Sequence, residues 1–338
     1  MQISFSGVAA GMHIQPKEKK DIHGYYHASY QMIQALSRAG FEPSINHPSA
    51  PVCIAFSQPG EYKFFNDQYK IGYTAWESTE IKKEWVPGLS IVDELWATST
   101  WTAEVFKETT GVENIHVYPH GIDQSWTPFK RKRKNKFTFL HVGEPQVRKG
   151  GQTVVDAFIN LFGNNDDYEL ILKCTNINTT RIFYPDGSIA GGPDSKYKNI
   201  SILTQPLSHD LMIKLFHESN ALIYPTSGEG FGFIPLQALA TGMPVATTHE
   251  WAEYSKFITI PMNSVQGPSE YPQIHPGKVY HVSQEEVERS MIEMVNNYEK
   301  YSSNSFKNSL NVHKEYNWDK VSEPTVERLK NIFKTRWF

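Results

Sequence analysis

Ser227-Gly228-Glu229-Gly230-Phe231-Gly232-Phe233 follows the apolar run ALIYPT at 221–226 and opens a helix-forming stretch that ends near Gly242, with Pro244 just beyond. An apolar run of that length reads as a buried strand, so the glycines stand at a strand-to-helix turn. Glycine there lets backbone come close to a ligand. The unpaired amides at the start of the following helix carry a partial positive charge, which suits a diphosphate.

Working outward from this turn, short apolar runs alternate with amphipathic stretches along the whole chain, the pattern of parallel sheets covered by helices on both faces. ISFSG (3–7), VCIAF, KIGYTA, ELWATS and IHVYPH read as strands of a first half. YYHASYQMIQALSRAG places Ala28, Met32, Ala35 and Leu36 at helical spacing before Gly40, and TWTAEVFKETTG is a helix stopped by Gly111. FTFLHVGEP begins the alternation again. At 338 residues the chain exceeds one core and suits two. The expected domains are 1–129 and 137–321, joined by a linker at 130–136, with a C-terminal helix at about 322–338 packing back on the first domain.

Composition narrows the class. Hydrophobic residues make up 39% and charged residues 20%, which excludes a disordered chain and a membrane protein. No apolar stretch approaches the roughly 18 residues of a spanning helix. The start MQISFSGVAAG lacks the basic region of a signal peptide, so the expected compartment is the cytoplasm. Cys53 and Cys174 each sit in an apolar run and read as buried thiols. Gly7-Val8-Ala9-Ala10-Gly11 lacks the spacing of a dinucleotide G-x-G-x-x-G turn. His13, His23 and His27 show no spacing of a known metal site.

Glu229 would repel phosphate, so it reads either as an acceptor for sugar hydroxyls one step beyond the phosphates or as a helix-capping carboxylate. Six of the seven residues at 130–136 are basic, although the net charge of the chain is −3. That run is either a solvated linker or an electrostatic guide for a polyanionic acceptor.

The stretch SGEGFGFIPLQALATGMPV resembles the donor-binding signature of family 4 glycosyltransferases of the GT-B fold, an α/β architecture of two Rossmann-like domains facing a central cleft. Glu229 falls on the first acid of the family's pair, whereas Gln237 replaces the second, which holds ribose hydroxyls. His141-Val142-Gly143-Glu144-Pro145-Gln146-Val147-Arg148-Lys149-Gly150-Gly151 is similar to the family's phosphate loop, with Lys149 on the diphosphate lysine and Glu144 where an arginine is usual; Arg148 can supply that charge. Val117-Tyr118-Pro119-His120-Gly121-Ile122-Asp123 resembles the element that closes the first domain, which puts His120 at the cleft.

What this likeness implies is a metal-independent, retaining hexosyl- or pentosyltransferase. Its donor would be a nucleoside-diphosphate sugar, and its acceptor a glycan, a lipid-linked sugar or a hydroxymethylated DNA base. Glu229, Lys149 and Arg148 are the catalytic candidates, and Gly24, Gly143, Phe231, Gly232, Phe233 and Gln237 bind the donor. The family's acceptor-side histidine is absent from GYTAWESTE, which offers Trp76 and Glu77 for that site, with Trp76 equally readable as core. The rival readings are another GT-B enzyme, such as an epimerase or phosphorylase, and a binding module that no longer transfers.

Overall fold

A computed structural model describes residues 1–7, 24–132, 135–174, 182, 183, 188 and 196–337, so His13, His23, Arg133, Lys134 and Phe338 lie outside the described residues. The first half runs β1 (Gln2–Gly7), α1 (Gly24–Arg38), β2 (Glu42–Ile45), β3 (Val52–Phe56), β4 (Tyr69–Thr74), α2 (Val86–Ser90), β5 (Glu94–Ala97), α3 (Thr100–Thr110) and β6 (Ile115–Val117). Its six strands are all parallel, in the order β2-β1-β3-β4-β5-β6. β3 is buried along its full length, as a strand covered on both faces must be. α1 turns Ala28, Met32, Ala35 and Leu36 into that core, the stripe its periodicity predicts.

The second half runs β7 (Phe137–Val142), α4 (Gly151–Phe162), β8 (Tyr168–Lys173), β9 (Ile200–Leu203), α5 (His209–Glu218), β10 (Ala221–Tyr224), α6 (Phe233–Ala240), β11 (Val245–Thr247) and β12 (Ile260–Pro261). The order β12-β11-β10-β7-β8-β9 is again parallel throughout. It is the doubly wound order, in which the connections leave β7 and β10 in opposite directions and a crevice opens at their carboxyl ends. A two-stranded antiparallel ribbon follows, β13 (Val265–Pro268) and β14 (Lys278–His281), and then α7 (Gln284–Asn296), α8 (Tyr298–Tyr316) and α9 (Trp318–Trp337).

α9 starts at Trp318, four residues before the expected position, and carries Pro324 inside it. Proline has no amide to donate and interrupts the helix's hydrogen bonds, yet here more than a turn of helix precedes it. The helix lies on the first half. Arg38 donates to Asp319 at 2.6 Å, Arg328 to the buried Glu94 at 2.7 Å, and Phe333 packs on Phe41. One cluster of buried side chains runs from Ile3 and Phe5 through Tyr118, Phe231 and Trp318 to Leu222 and Val245, so the two sheets share a core.

Within the basic run, Arg131 is 6% exposed while Lys130 and Lys132 are exposed. Its guanidinium donates to the carbonyls of Ser219, Phe216 and Thr241 at 3.0, 2.7 and 2.7 Å, and to the Thr241 hydroxyl at 3.0 Å. Phe216 and Thr241 stand at the ends of α5 and α6, where carbonyls are orphaned and the helix dipole favours a cation. Arg131 is therefore neither part of a solvated linker nor available to a polyanion. Burial pulls its guanidinium down to about 10.

Arg131→Met leaves the Ser219 and Phe216 carbonyls without donors in a dry place, while the Thr241 carbonyl keeps the Phe129 amide. It is expected to cost about 3 kcal/mol of stability or more, with Lys130→Ala and Lys132→Ala each under about 0.5 kcal/mol. Urea unfolding of the three variants measures this, and equal effects would remove the assignment.

Candidate functional site

The crevice at the carboxyl ends of β7 and β10 is built by two loops. After β7 the chain makes a single tight turn, Val147–Lys149, and closes on Gly150 at φ +71°. A Cβ at Gly150 would stand 2.6 Å from the Pro225 carbonyl oxygen, so only glycine allows the turn to lie against the loop after β10. The backbone registers the two loops, with Ser227 N donating to Arg148 O at 2.8 Å. Arg148 and Lys149 are thereby set beside Glu229.

Glu229 is 7% exposed, and its contacts converge on Oε1. Lys149 Nζ lies at 2.5 Å, the Thr226 hydroxyl at 2.8 Å, the Tyr224 hydroxyl at 2.9 Å and Arg148 Nη1 at 3.5 Å. Burial alone would raise its carboxyl, but the Lys149 and Arg148 charges outweigh burial and hold it at about 2. Glu229 is thus an ionised carboxylate in an ion-pair network. Burial and the neighbouring Arg148 lower Lys149, while the Glu229 and Glu77 carboxylates keep Arg148 charged against its own burial.

The glycine-rich loop is fixed by its carbonyls. Gly228 O accepts from Arg148 Nη1 and the Thr226 hydroxyl, Gly230 O from the Thr98 hydroxyl, and Gly232 O from the Tyr254 hydroxyl. Among the described residues, no oxygen accepts from the amides of Gly228 to Phe233. Gly232, at φ +78°, turns the chain into α6, and a Cβ there would meet Trp251 at 2.4 Å. Carbonyls tied down and amides unpaired at a helix start are the kind of backbone that an anion can complete.

Across the seam, the segment after β4 meets this loop. A Cβ on Gly228 would lie 2.1 Å from the Glu77 carbonyl oxygen, and one on Gly230 would lie 2.4 Å from Ala75 Cβ. Glu77 comes to Arg148 Nη2 at 3.9 Å. A Cβ on Gly24 would stand 3.7 Å from the Phe233 ring, and one on Gly143 3.4 Å from Lys149, so both glycines border the site. His120 stacks on Phe233 at 5.1 Å and 4° and bonds to the Tyr73 hydroxyl at 3.2 Å. Burial lowers His120 to about 3 and His27 beside it to about 4, so both imidazoles are neutral. Phe231 packs edge-on to His120 in the shared core. Gln237 is half-buried on α6.

Trp76 is 1% exposed, its Nε1 donates to Glu80 O at 2.7 Å, and its ring packs against Trp85 at 4.5 Å. Of its two readings, acceptor platform and core, the structure gives core: the ring has no face to offer a ligand. Sequence reasoning missed Tyr224 and Thr226, which lie inside a run that reads as strand, and His275, whose Nε2 is 3.6 Å from Glu77. The ribbon that carries His275 has no glycine-motif signature. Among the described residues there is no cluster of metal-ligating side chains and no helix long and apolar enough to cross a membrane.

No family model matches the chain. Over 146 residues it is 25% identical to glycogen synthase of Mycobacterium tuberculosis, a match covering 41% of this chain and 33% of that protein. Over 154 residues it is 26% identical to D-inositol 3-phosphate glycosyltransferase of Arthrobacter, covering 40% and 34%. The chain thus spans about a third of the length of these relatives. Solved structures match throughout: sucrose-phosphate synthase from Thermosynechococcus elongatus superposes with a TM-score of 0.67 at 12% identity, covering 99% of this chain and 100% of that one. Anabaena HepE in complex with UDP and glucose gives 0.66 at 11%, covering 98% and 100%. WaaG, a glycosyltransferase involved in lipopolysaccharide biosynthesis, gives 0.64 at 11%, covering 97% and 99%. The chain has the GT-B fold. In GT-B terms, the crevice between β7 and β10 faces the other Rossmann-like half across the seam just described.

The Glu229 carboxyl is held at about 2 against an ordinary 4.5, so its ion pair stabilises the fold above pH 4.5, and that contribution is lost as pH falls towards 2. Glu229→Gln removes this term. The stability gap between wild type and variant, from urea titrations at pH 6 to 3, is expected to narrow at up to about 1.4 kcal/mol per pH unit below pH 4.5. A gap that does not change with pH would contradict the ion-pair assignment.

Proposed function

We propose that the chain is a retaining, metal-independent glycosyltransferase of family 4 type that moves a sugar from a nucleoside-diphosphate sugar to an acceptor hydroxyl. The observation that supports this most is the glycine-rich loop, whose carbonyls are tied down and whose amides are unpaired, lying next to Lys149, Arg148 and Glu229. Lys149, Arg148 and the amides of residues 231–233 take the diphosphate, Gln237 takes the ribose hydroxyls, and Gly24 and Gly143 leave room for the phosphates. All contacts to Glu229 described above fall on Oε1, so Oε2 is the oxygen that accepts a sugar hydroxyl. The HepE structures hold UDP and UDP-glucose, which makes a uridine diphosphate sugar the first donor to try.

In this reading the bond from the anomeric carbon to the β-phosphate oxygen breaks, and its electron pair leaves with the nucleoside diphosphate. The acceptor oxygen bonds to the same face of the oxocarbenium-like carbon, and its proton passes to the departing phosphate oxygen. Preorganised cations and amides stabilise the charge that develops there. The acceptor we propose is a saccharide hydroxyl, free or lipid-linked. A hydroxymethylated DNA base loses two of its supports, because Trp76 is buried and Arg131 is held by helix-end carbonyls.

Glu229→Ala is expected to abolish transfer while leaving UDP affinity within about tenfold, since the residue is assigned to the sugar. Lys149→Ala is expected to weaken UDP by about 1.5–3 kcal/mol, the size of one charge-assisted contact. Calorimetry with UDP alongside product formation from UDP-sugars measures both, and equal loss of binding in the two variants would sink the division of roles.

Transfer is expected to persist in excess chelator, because side chains and amides neutralise the phosphates. Abolition by chelator with rescue by magnesium or manganese would overturn this.

A further inference from the structure

Two cations and two carboxylates meet at the seam: Arg148 and Lys149 against Glu229 and Glu77. The cluster is electrically balanced, yet the donor proposed above brings a diphosphate into it, so a carboxylate has to yield. The two are not held alike. Glu229 receives three hydrogen bonds at 2.5–2.9 Å, while among the described residues the Glu77 carboxylate is approached at longer distances, by Arg148 at 3.9 Å and His275 at 3.6 Å. Arg148 also has a buried Nε with no partner among the described residues, so its donor capacity is not used up there.

The surroundings hold Glu77 there without gripping its carboxylate. Its carbonyl is pressed against Gly228, and the segment that follows is clasped by the β13–β14 ribbon, with Thr79 N donating to Lys278 O at 3.0 Å and Lys278 N to the Thr79 hydroxyl at 2.8 Å. The ribbon is itself tied to the glycine-rich loop, Tyr280 N donating to Ser227 O at 2.8 Å. His275, from the ribbon's turn, faces the far oxygen of Glu77, Oε2.

We propose that Glu77 is an internal stand-in for the donor's phosphate: its carboxylate sits beside Arg148, and an entering diphosphate displaces it onto His275. This rests on the donor reading above. Glu77 then sets a threshold for phosphate charge and, through its backbone contact with Gly228 and the ribbon, reports occupancy of the site to both halves. Removing the negative charge is therefore expected to tighten diphosphate binding, the opposite of what losing a structural ion pair does.

The test is calorimetry on the full chain with UDP, and with inorganic pyrophosphate as a probe lacking base and sugar. Glu77→Gln is expected to bind both about tenfold tighter than wild type at low salt, with the gap narrowing at high salt. Unchanged or weaker binding by this variant overturns the proposal. His275→Gln is expected to weaken both probes about threefold, because the displaced carboxylate loses its partner. Should Glu77→Gln fail to fold, unchanged binding in His275→Gln is the overturning result. A wild-type chain that binds neither UDP, GDP, ADP nor pyrophosphate overturns the donor reading and this inference with it, whereas wild-type binding without a gain in Glu77→Gln overturns this inference alone.

Discussion

An ammonium and a carboxylate held 2.5 Å apart in a place nearly closed to water constrain everything around them. Either charge alone would be expensive to bury, and their attraction offsets that cost only if the remaining donors and acceptors are satisfied. Tyr224 and Thr226 do this for Glu229 from the end of β10, and Tyr224 also takes the Lys149 ammonium at 3.0 Å. The loop after β7 must therefore return to the end of β10 within eight residues, which is why Gly150 turns at positive φ against Pro225. The doubly wound order supplies the adjacency of β7 and β10 that makes this return short.

A second constraint, steric in kind, joins the halves. Gly228 and Gly230 touch the backbone of residues 75–77 so closely that any side chain would push the segments apart. The glycines whose amides are unpaired thus also let the other half approach. His120, Phe233 and Trp318 pack beside this contact with stacked and tilted rings, and burial keeps the imidazoles of His120 and His27 neutral.

Much of this was legible in the sequence because it depends on local pattern. Strand and helix alternation located both sheets, and glycine placement located the turn at 227–233. The partners of those residues were not legible. Lys149 and Glu229 are 80 positions apart, and their pairing exists only through the strand order. From its charge Glu229 reads as a sugar acceptor or as a helix cap, but nothing local says that Lys149 saturates one of its oxygens. For a related reason the sequence left Trp76 open between acceptor site and core and placed Arg131 in a basic run. A tryptophan in a loop and an arginine in a basic run look exposed, and only the packing of α5, α6 and residues 80–85 around them shows otherwise. The β13–β14 ribbon was missed because its strands are four residues each, half exposed and without alternation.

Two arginines, one buried and one largely so, show how the degree of saturation separates architecture from chemistry. Every nitrogen of the Arg131 guanidinium donates to a carbonyl or hydroxyl of the helix ends it ties together, so nothing is left over for a ligand. Arg148 is nearly as deep, with 14% of its side chain exposed, but it donates one hydrogen bond to Gly228 O, stands at 3.5 and 3.9 Å from two carboxylates and keeps an unpartnered Nε. A buried donor without an acceptor costs free energy, and a residue kept only for packing would gain nothing from that cost. The incomplete shell around Arg148 has a use if a further anion completes it, and the unpaired amides of the adjacent loop ask for the same kind of group.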